Sequence, residues 1–245
     1  MELFGHKLSD EAINFVEKYS VKLDKPIKHF LLSDSHPSFG AMDNADEFYV
    51  IGVRSNVPTK SFEATFCHEL YHAYQFSCGF PTVICNDKRM KDYDKFAEHL
   101  RSCILDLSAE EAVVTHGLDN SFVSNFRYKH LKNHSRARFC DVADGFGEVL
   151  LVIDLLIDSR TIKPEQFNLL FGVLKEYRPD VAAKYLLYKE EISKNDYFSS
   201  DGCLKILGFI INDLNKWDGC HIVYNEKKIK GMRQLERIFN PQSVV

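Results

Sequence analysis

Several features are absent or scarce, and each absence narrows what the chain can do. No glycine-rich phosphate loop occurs, so nucleotide use has no support in the sequence. No Cys-x-x-Cys pair occurs, and the seven cysteines, at 67, 78, 85, 103, 140, 203 and 220, are odd in number. That pattern argues against a disulfide-rich framework and favours free thiols in a reducing cytosol. The longest apolar run, VLLVIDLLI at 149–157, is broken by Asp154 and too short to span a bilayer. The first twenty residues carry no basic patch followed by an apolar stretch, so a secretory leader is not expected. Nor is there a charge excess: 35 acidic against 31 basic residues leaves a net charge of −4, with no electrostatic reason to expect nucleic acid or an anionic membrane as partner. Internal repeats and low-complexity segments are also missing.

What remains is the composition of a globular chain. The 245 residues are 45% hydrophobic and 13% aromatic, enough for one large domain with a sizeable core. Residues 8–20 have helical spacing, with Ser9 as cap and Ala12, Phe15 and Val16 inward. The segments 27–34 and 47–55 read as strands, separated by a loop of Ser, Pro, Gly, Asn and Asp. Beyond Pro58, with Thr59 or Ser61 as its cap, runs a helix through TFCHELYHAYQF, followed by a loop over 77–94. Helical patterns then cover 96–118, 140–158, 164–176 and 179–192, and a short strand near 219–228 precedes a last helix around 229–239. The expected fold is α+β: a single domain over 1–245, with a small N-terminal sheet and the motif helix within 1–120 and a mainly helical extension over 121–245.

The twelve residues at 65–76 hold the chemistry. Positions four apart on a helix lie one turn above each other, so His68 and His72 can present two imidazoles to one ion. Neutral imidazole is a good zinc donor. Glu69 points about 100° away by helix geometry, outside the immediate ligand sphere but within reach of a water held there. Zinc lowers the pKa of such a water towards ~7, and Glu69 can take its proton and pass it to a leaving amine. This is the mechanical content of H-E-x-x-H. The bland alternative is a polar edge on a buried helix. The neighbours Phe66, Cys67, Leu70, Tyr71, Ala73 and Tyr74 are all uncharged, and three ionisable groups among them are costly unless something compensates them.

HELYH at 68–72, on a helix after the strand-like EFYVIGVRS, resembles the zincin metallopeptidases. The resemblance covers about the first 120 residues, and only the five-residue motif is specific. It implies one Zn2+ per chain and an edge strand before the motif helix that pairs with an extended substrate, a part that 47–55 could play. The metzincin pattern needs Gly at 75 and His at 78, where this chain has Gln75 and Cys78, so that subgroup is excluded. The gluzincin pattern instead takes a Glu from a later helix. Around Leu107, Glu111 lies about 40° away and Glu110 about 60° on the other side, while Glu98 is opposite. Glu111 also begins an EAVV stretch similar to the Glu-Ala pattern of thermolysin-like and IrrE/ImmA-like regulatory peptidases. Glu111 is therefore the expected third ligand and Glu110 the second choice. Against this, SAEE at 108–111 can be a capping box. Asp106, four before Glu110, is either a partner for a ligand histidine or a solvated residue.

His116, Tyr128, His130 and His134 follow as residues that could stabilise an oxyanion, without a spacing argument; each reads more readily as a surface or loop residue. The expected activity is hydrolysis of a peptide bond in an intracellular protein or peptide, with metal-activated water and Glu69 as base. The competing reading is a non-catalytic regulatory or interaction protein on the same scaffold.

Overall fold

The computed structural model describes residues 1–85, 93–140, 145–215, 217 and 219–239. A two-residue turn opens it: Phe4 and Gly5 both take positive φ, 51° and 82°, and join β1 (Glu2–Leu3) to β2 (His6–Lys7) as a tight hairpin. Helix α1 (Asp10–Ser20) begins where Ser9 accepts from the Ala12 amide. Ser9 also donates, through its own amide at 2.7 Å and its hydroxyl at 2.9 Å, to the buried carboxylate of Glu63.

Strands β3 (Ile27–Leu32), β4 (Gly40–Asn44) and β5 (Tyr49–Arg54) form a sheet in the order β3-β5-β4. β3 runs parallel to β5, with Ile27 opposite Tyr49; β4 is antiparallel, with Gly40 opposite Val53. Two corrections to the sequence reading follow. The polar stretch taken as a loop contains β4, and the segment 47–55, taken as an edge strand open to substrate, is the central strand. Alternation explains the first: Gly40 and Met42 face the core while Ala41 and Asp43 face away, a pattern too short and too polar to register as a strand.

Helix α2 (Thr59–Ser77) carries the motif. Its N-cap is Pro58, with no side-chain cap, so neither Thr59 nor Ser61 serves as expected. Ile51 and Val53 of the sheet pack with Phe15 of α1 and with Phe62, Cys67 and Leu70 of α2 in one core cluster. Beyond its first two residues most of the helix is buried.

Then come β6 (Thr82–Cys85), α3 (Tyr93–Thr115), α4 (Ser121–Cys140), α5 (Gly145–Thr161), α6 (Pro164–Tyr177), α7 (Pro179–Ser193), α8 (Ser200–Asp213), β7 (Cys220–Tyr224), β8 (Lys227–Ile229) and α9 (Met232–Phe239). The fold is α+β, with small sheets and a mainly helical second half. β6 lies in the segment taken as a loop, and the rest of that loop, 86–92, is outside the described residues.

The chain resolves into two compact units that interleave in sequence. One comprises 1–78, 108–133 and 158–167; the other comprises 79–107, 134–157 and 168–245. The first holds the β3-β5-β4 sheet and α2. The second holds the sheet β6-β7-β8, where Gly208 of α8 leaves room for Leu235 of α9: a Cβ there would lie 2.2 Å from Leu235 Cδ2.

Cys85 and Cys220, opposite each other on β6 and β7, are joined as a disulfide. The expectation of free thiols therefore fails at these two positions and holds at Cys67, Cys78 and Cys203. Burial pushes the thiols of Cys67 and Cys203 up, that of Cys203 to about 12, which makes both inert apolar filling rather than nucleophiles. Among the described residues, no helix is long and apolar enough to cross a membrane.

Candidate metal centre

Helix α2 delivers the two histidines as its periodicity requires. Their rings stand nearly perpendicular, at 84° with centroids 4.6 Å apart, and their Nε2 atoms approach to 2.9 Å. Each ring is met by an oxygen on its other side. His72 Nδ1 lies 2.8 Å from Gln75 Oε1, one turn on along the same helix. Gln75 in turn donates through Nε2 to Ser108 Oγ at 2.8 Å. Gln75 and Ser108 are both wholly buried. His68 Nδ1 lies 3.7 Å from Glu110 Oε1, an electrostatic contact longer than a hydrogen bond.

The third member of the group is Asp106. One ligand atom from each of His68, His72 and Asp106 falls within 4.8 Å of the others. Asp106 precedes Ser108 by two residues on the uninterrupted helix α3. A zinc–nitrogen bond of about 2.0–2.1 Å and a tetrahedral angle place two imidazole nitrogens about 3.3 Å apart. The 2.9 Å pair needs only a slight opening to meet that, and two imidazoles with a carboxylate are a donor set that divalent metals accept. These three residues lie close enough to hold a metal ion.

The structure does not bring Glu111 to this group. Its carboxylate, 44% exposed, pairs with Arg160 at 3.2 Å. Glu110 stands behind His68 instead: it is buried, accepts from Asn120 Nδ2, and lies 3.5 Å from Arg127 Nη1. The capping-box alternative is not realised, because Ser108 sits in the interior of α3. The inward stripe of α3 also differs from expectation. Leu100, Ile104, Leu107 and Leu118 are buried, but Val114 is 57% exposed, and Ala109, Ala112 and Val113 are buried instead.

Glu69 is 9% exposed and lies under the start of β4. A Cβ on Gly40 would fall 2.5 Å from Glu69 Oε1 and 2.6 Å from Thr65 Cγ2, so the strand backbone reaches the carboxylate only because Gly40 has no side chain.

Of the four residues considered for an oxyanion role, His116 is engaged elsewhere. Its Nε2 lies 3.1 Å from Lys18 Nζ, its Nδ1 donates to Ala112 O at 2.7 Å, and its ring packs edge-on against Phe15. Tyr128 is half-buried on α4, and the side chains of His130 and His134 lie outside those described.

The residues missed by sequence reasoning are Gln75, Ser108 and Gly40. Gln75 had a signal, standing three after His72 on one helix face; the other two become visible only through the fold. Comparison with protein-family models, with curated proteins and with solved structures found no match.

Proposed function

We propose that this chain is a zinc-dependent metallopeptidase in which His68, His72 and Asp106 hold the ion. The observation that carries the reading is that His68, His72 and Asp106 each offer a ligand atom within 4.8 Å of the others, with the two imidazole Nε2 atoms 2.9 Å apart. His72 has an acceptor oxygen at 2.8 Å from Nδ1, which favours a proton there and leaves its Nε2 lone pair directed at His68, whose Nδ1 faces the Glu110 carboxylate at 3.7 Å. Without an ion the two nitrogens can share one N–H···N hydrogen bond, and a cation between them would take the place of that proton. Bound zinc supplies Lewis acidity and lowers the pKa of water in its open position.

The rest of the reaction falls to side chains of this protein. Glu69, next to His68 and largely shielded, takes the proton of the attacking water and returns it to the leaving amine. β4 has one edge paired with β5 and, among the described residues, no strand on the other. A substrate segment laid along that edge in extended form would run beside Glu69, which suits a peptide or unfolded protein segment better than a small metabolite. Asp106 replaces the Glu111 expected from the gluzincin pattern.

Metal analysis and a hydrolysis assay on denatured casein and mixed peptides test this. Wild type should carry about one zinc per chain and cleave; His72→Ala should lose both; Glu69→Gln should keep the metal and lose cleavage. Zinc-free wild type after purification in zinc-containing buffer overturns the reading. Zinc-loaded wild type with no hydrolysis turns it towards a regulatory protein on the same scaffold.

A further inference from the structure

Three buried side chains form a line behind the histidine pair: His72 Nδ1, Gln75 Oε1 and Nε2, then Ser108 Oγ, in two steps of 2.8 Å. We propose that Gln75 and Ser108 are positioning residues that fix the tautomer and orientation of His72 for metal binding. The proposal deepens the metallopeptidase reading and rests on its metal site.

A neutral imidazole carries one N–H, and only its other nitrogen can ligate. Which nitrogen that is depends on what faces the ring. Gln75 has both an acceptor and a donor, and on its own could present either to His72. The Ser108 hydroxyl can accept or donate, and here it accepts. By accepting from Gln75 Nε2 it commits the amide nitrogen to α3 and turns Oε1 towards His72. The ring must then donate from Nδ1, which frees Nε2 on the side of His68. Without that arrangement the amide could rotate, donate to Nδ1 and move the proton onto Nε2, where it would block the metal.

Burial gives the arrangement its strength. Gln75 and Ser108 are each 0% exposed, so no bulk water competes for the amide, and leaving either group without its partner is costly. Ser108 has a second consequence. It ties α2 to α3 through the same amide that sets the ring, so the packing of the two helices and the tautomer of His72 are set together. Glu110 serves His68 in a looser way, by charge at 3.7 Å rather than by a short hydrogen bond.

The test measures zinc dissociation constants by chelator competition for full-length wild type, Gln75→Leu, Gln75→Glu, Ser108→Ala and the Gln75→Leu/Ser108→Ala double variant. Thermal unfolding of each metal-free protein tells loss of fold from loss of ligand geometry. Gln75→Leu is expected to weaken zinc about 10- to 100-fold. Ser108→Ala, which frees the amide to turn, is expected to weaken it about 2- to 10-fold. Gln75→Glu can only accept from His72 and can itself accept from the Ser108 hydroxyl, so it should bind zinc at least as tightly as wild type. The double variant should match Gln75→Leu, because Ser108 acts through Gln75. A Gln75→Glu variant as weak as Gln75→Leu shows that the amide donates to the ring and overturns the assignment. Wild-type affinity in Gln75→Leu also overturns it and leaves the metal site standing. If wild type itself binds no zinc, the metallopeptidase reading falls and this assignment with it.

Discussion

His68 and His72 direct their Nε2 atoms at one another across 2.9 Å, on a helix whose side chains around them, Glu69 apart, are uncharged from Ala64 to Ser77. Nothing in helix packing requires that contact, and a bound cation would take its place. Zinc should therefore stabilise the folded chain by mass action, by about 2.7 kcal/mol when its free concentration is a hundred times the dissociation constant. Urea unfolding with zinc and with excess chelator should show this gap in wild type and no gap in His68→Ala or His72→Ala. Equal stability with and without zinc in wild type would remove the thermodynamic basis of the site.

Carboxylates on α3 should rank by position rather than by resemblance. Asp106 joins the histidines, Glu110 sits behind one of them, and Glu111 pairs with Arg160 near the surface. Asp106→Ala should abolish stoichiometric zinc, and Glu110→Gln should weaken it about tenfold by withdrawing charge from behind His68. Glu111→Ala should leave it unchanged and cost the fold no more than about 1 kcal/mol, as expected for an exposed ion pair. Zinc lost in Glu111→Ala and kept in Asp106→Ala would reverse the assignment of the third ligand.

The sequence made the motif helix legible because the chemistry there is local: two histidines and a glutamate within one turn and a half. That Asp106 is the carboxylate beside the histidines was not legible for a related reason. Taking Leu107 as the inward centre of α3 assumes that the helix is ordered by apolar packing, and Glu111 lies within that stripe only on paper. The side facing α2 is marked instead by small or polar residues, Ser108, Ala109 and Glu110, all buried. A polar site displaces the apolar centre, and hydrophobic periodicity does not locate it. β4 escaped notice because a five-residue strand with Gly40 and Asn44 at its ends looks like a turn until β5 is seen beside it.

Gly40 offers a way to disturb Glu69 without touching it. A methyl group in its place would meet Glu69 Oε1 at 2.5 Å and Glu69 Cγ at 2.8 Å, with Thr65 Cγ2 at 2.6 Å on the other side. The strand or the carboxylate must move. Gly40→Ala should cost about 1–3 kcal/mol in urea unfolding, as overpacking does. It should also reduce hydrolysis while zinc content stays at the wild-type level, because the histidines are not in the way. Unchanged stability and activity would mean that β4 yields freely and does not hold Glu69 in place.

The C-terminal end of α2 is tied down by a hydrogen-bonded trio whose pH behaviour is fixed by its geometry. Asp24 accepts from Tyr49 Oη at 2.8 Å and from Ser77 Oγ at 2.8 Å. The Ser77 hydroxyl first, then that of Tyr49, holds the Asp24 carboxyl below its ordinary value of 3.8. Burial, with Asp24 beside it, pushes the Tyr49 phenol up to about 12. For Asp24 the folded value is depressed, so its contribution is present above about pH 4 and fades as pH falls through the folded value. For Tyr49 the folded value is raised, so its contribution is complete below about pH 10 and fades as pH rises through about 12. Tyr49→Phe should lower stability near pH 7 by about 1 kcal/mol and flatten the alkaline limb. Asp24→Asn should flatten the acid limb below about pH 4 and leave the alkaline one sloping. Urea unfolding across pH 2–12 checks both; acid limbs that run parallel in wild type and Asp24→Asn would show that the trio does not hold α2 through the Asp24 charge.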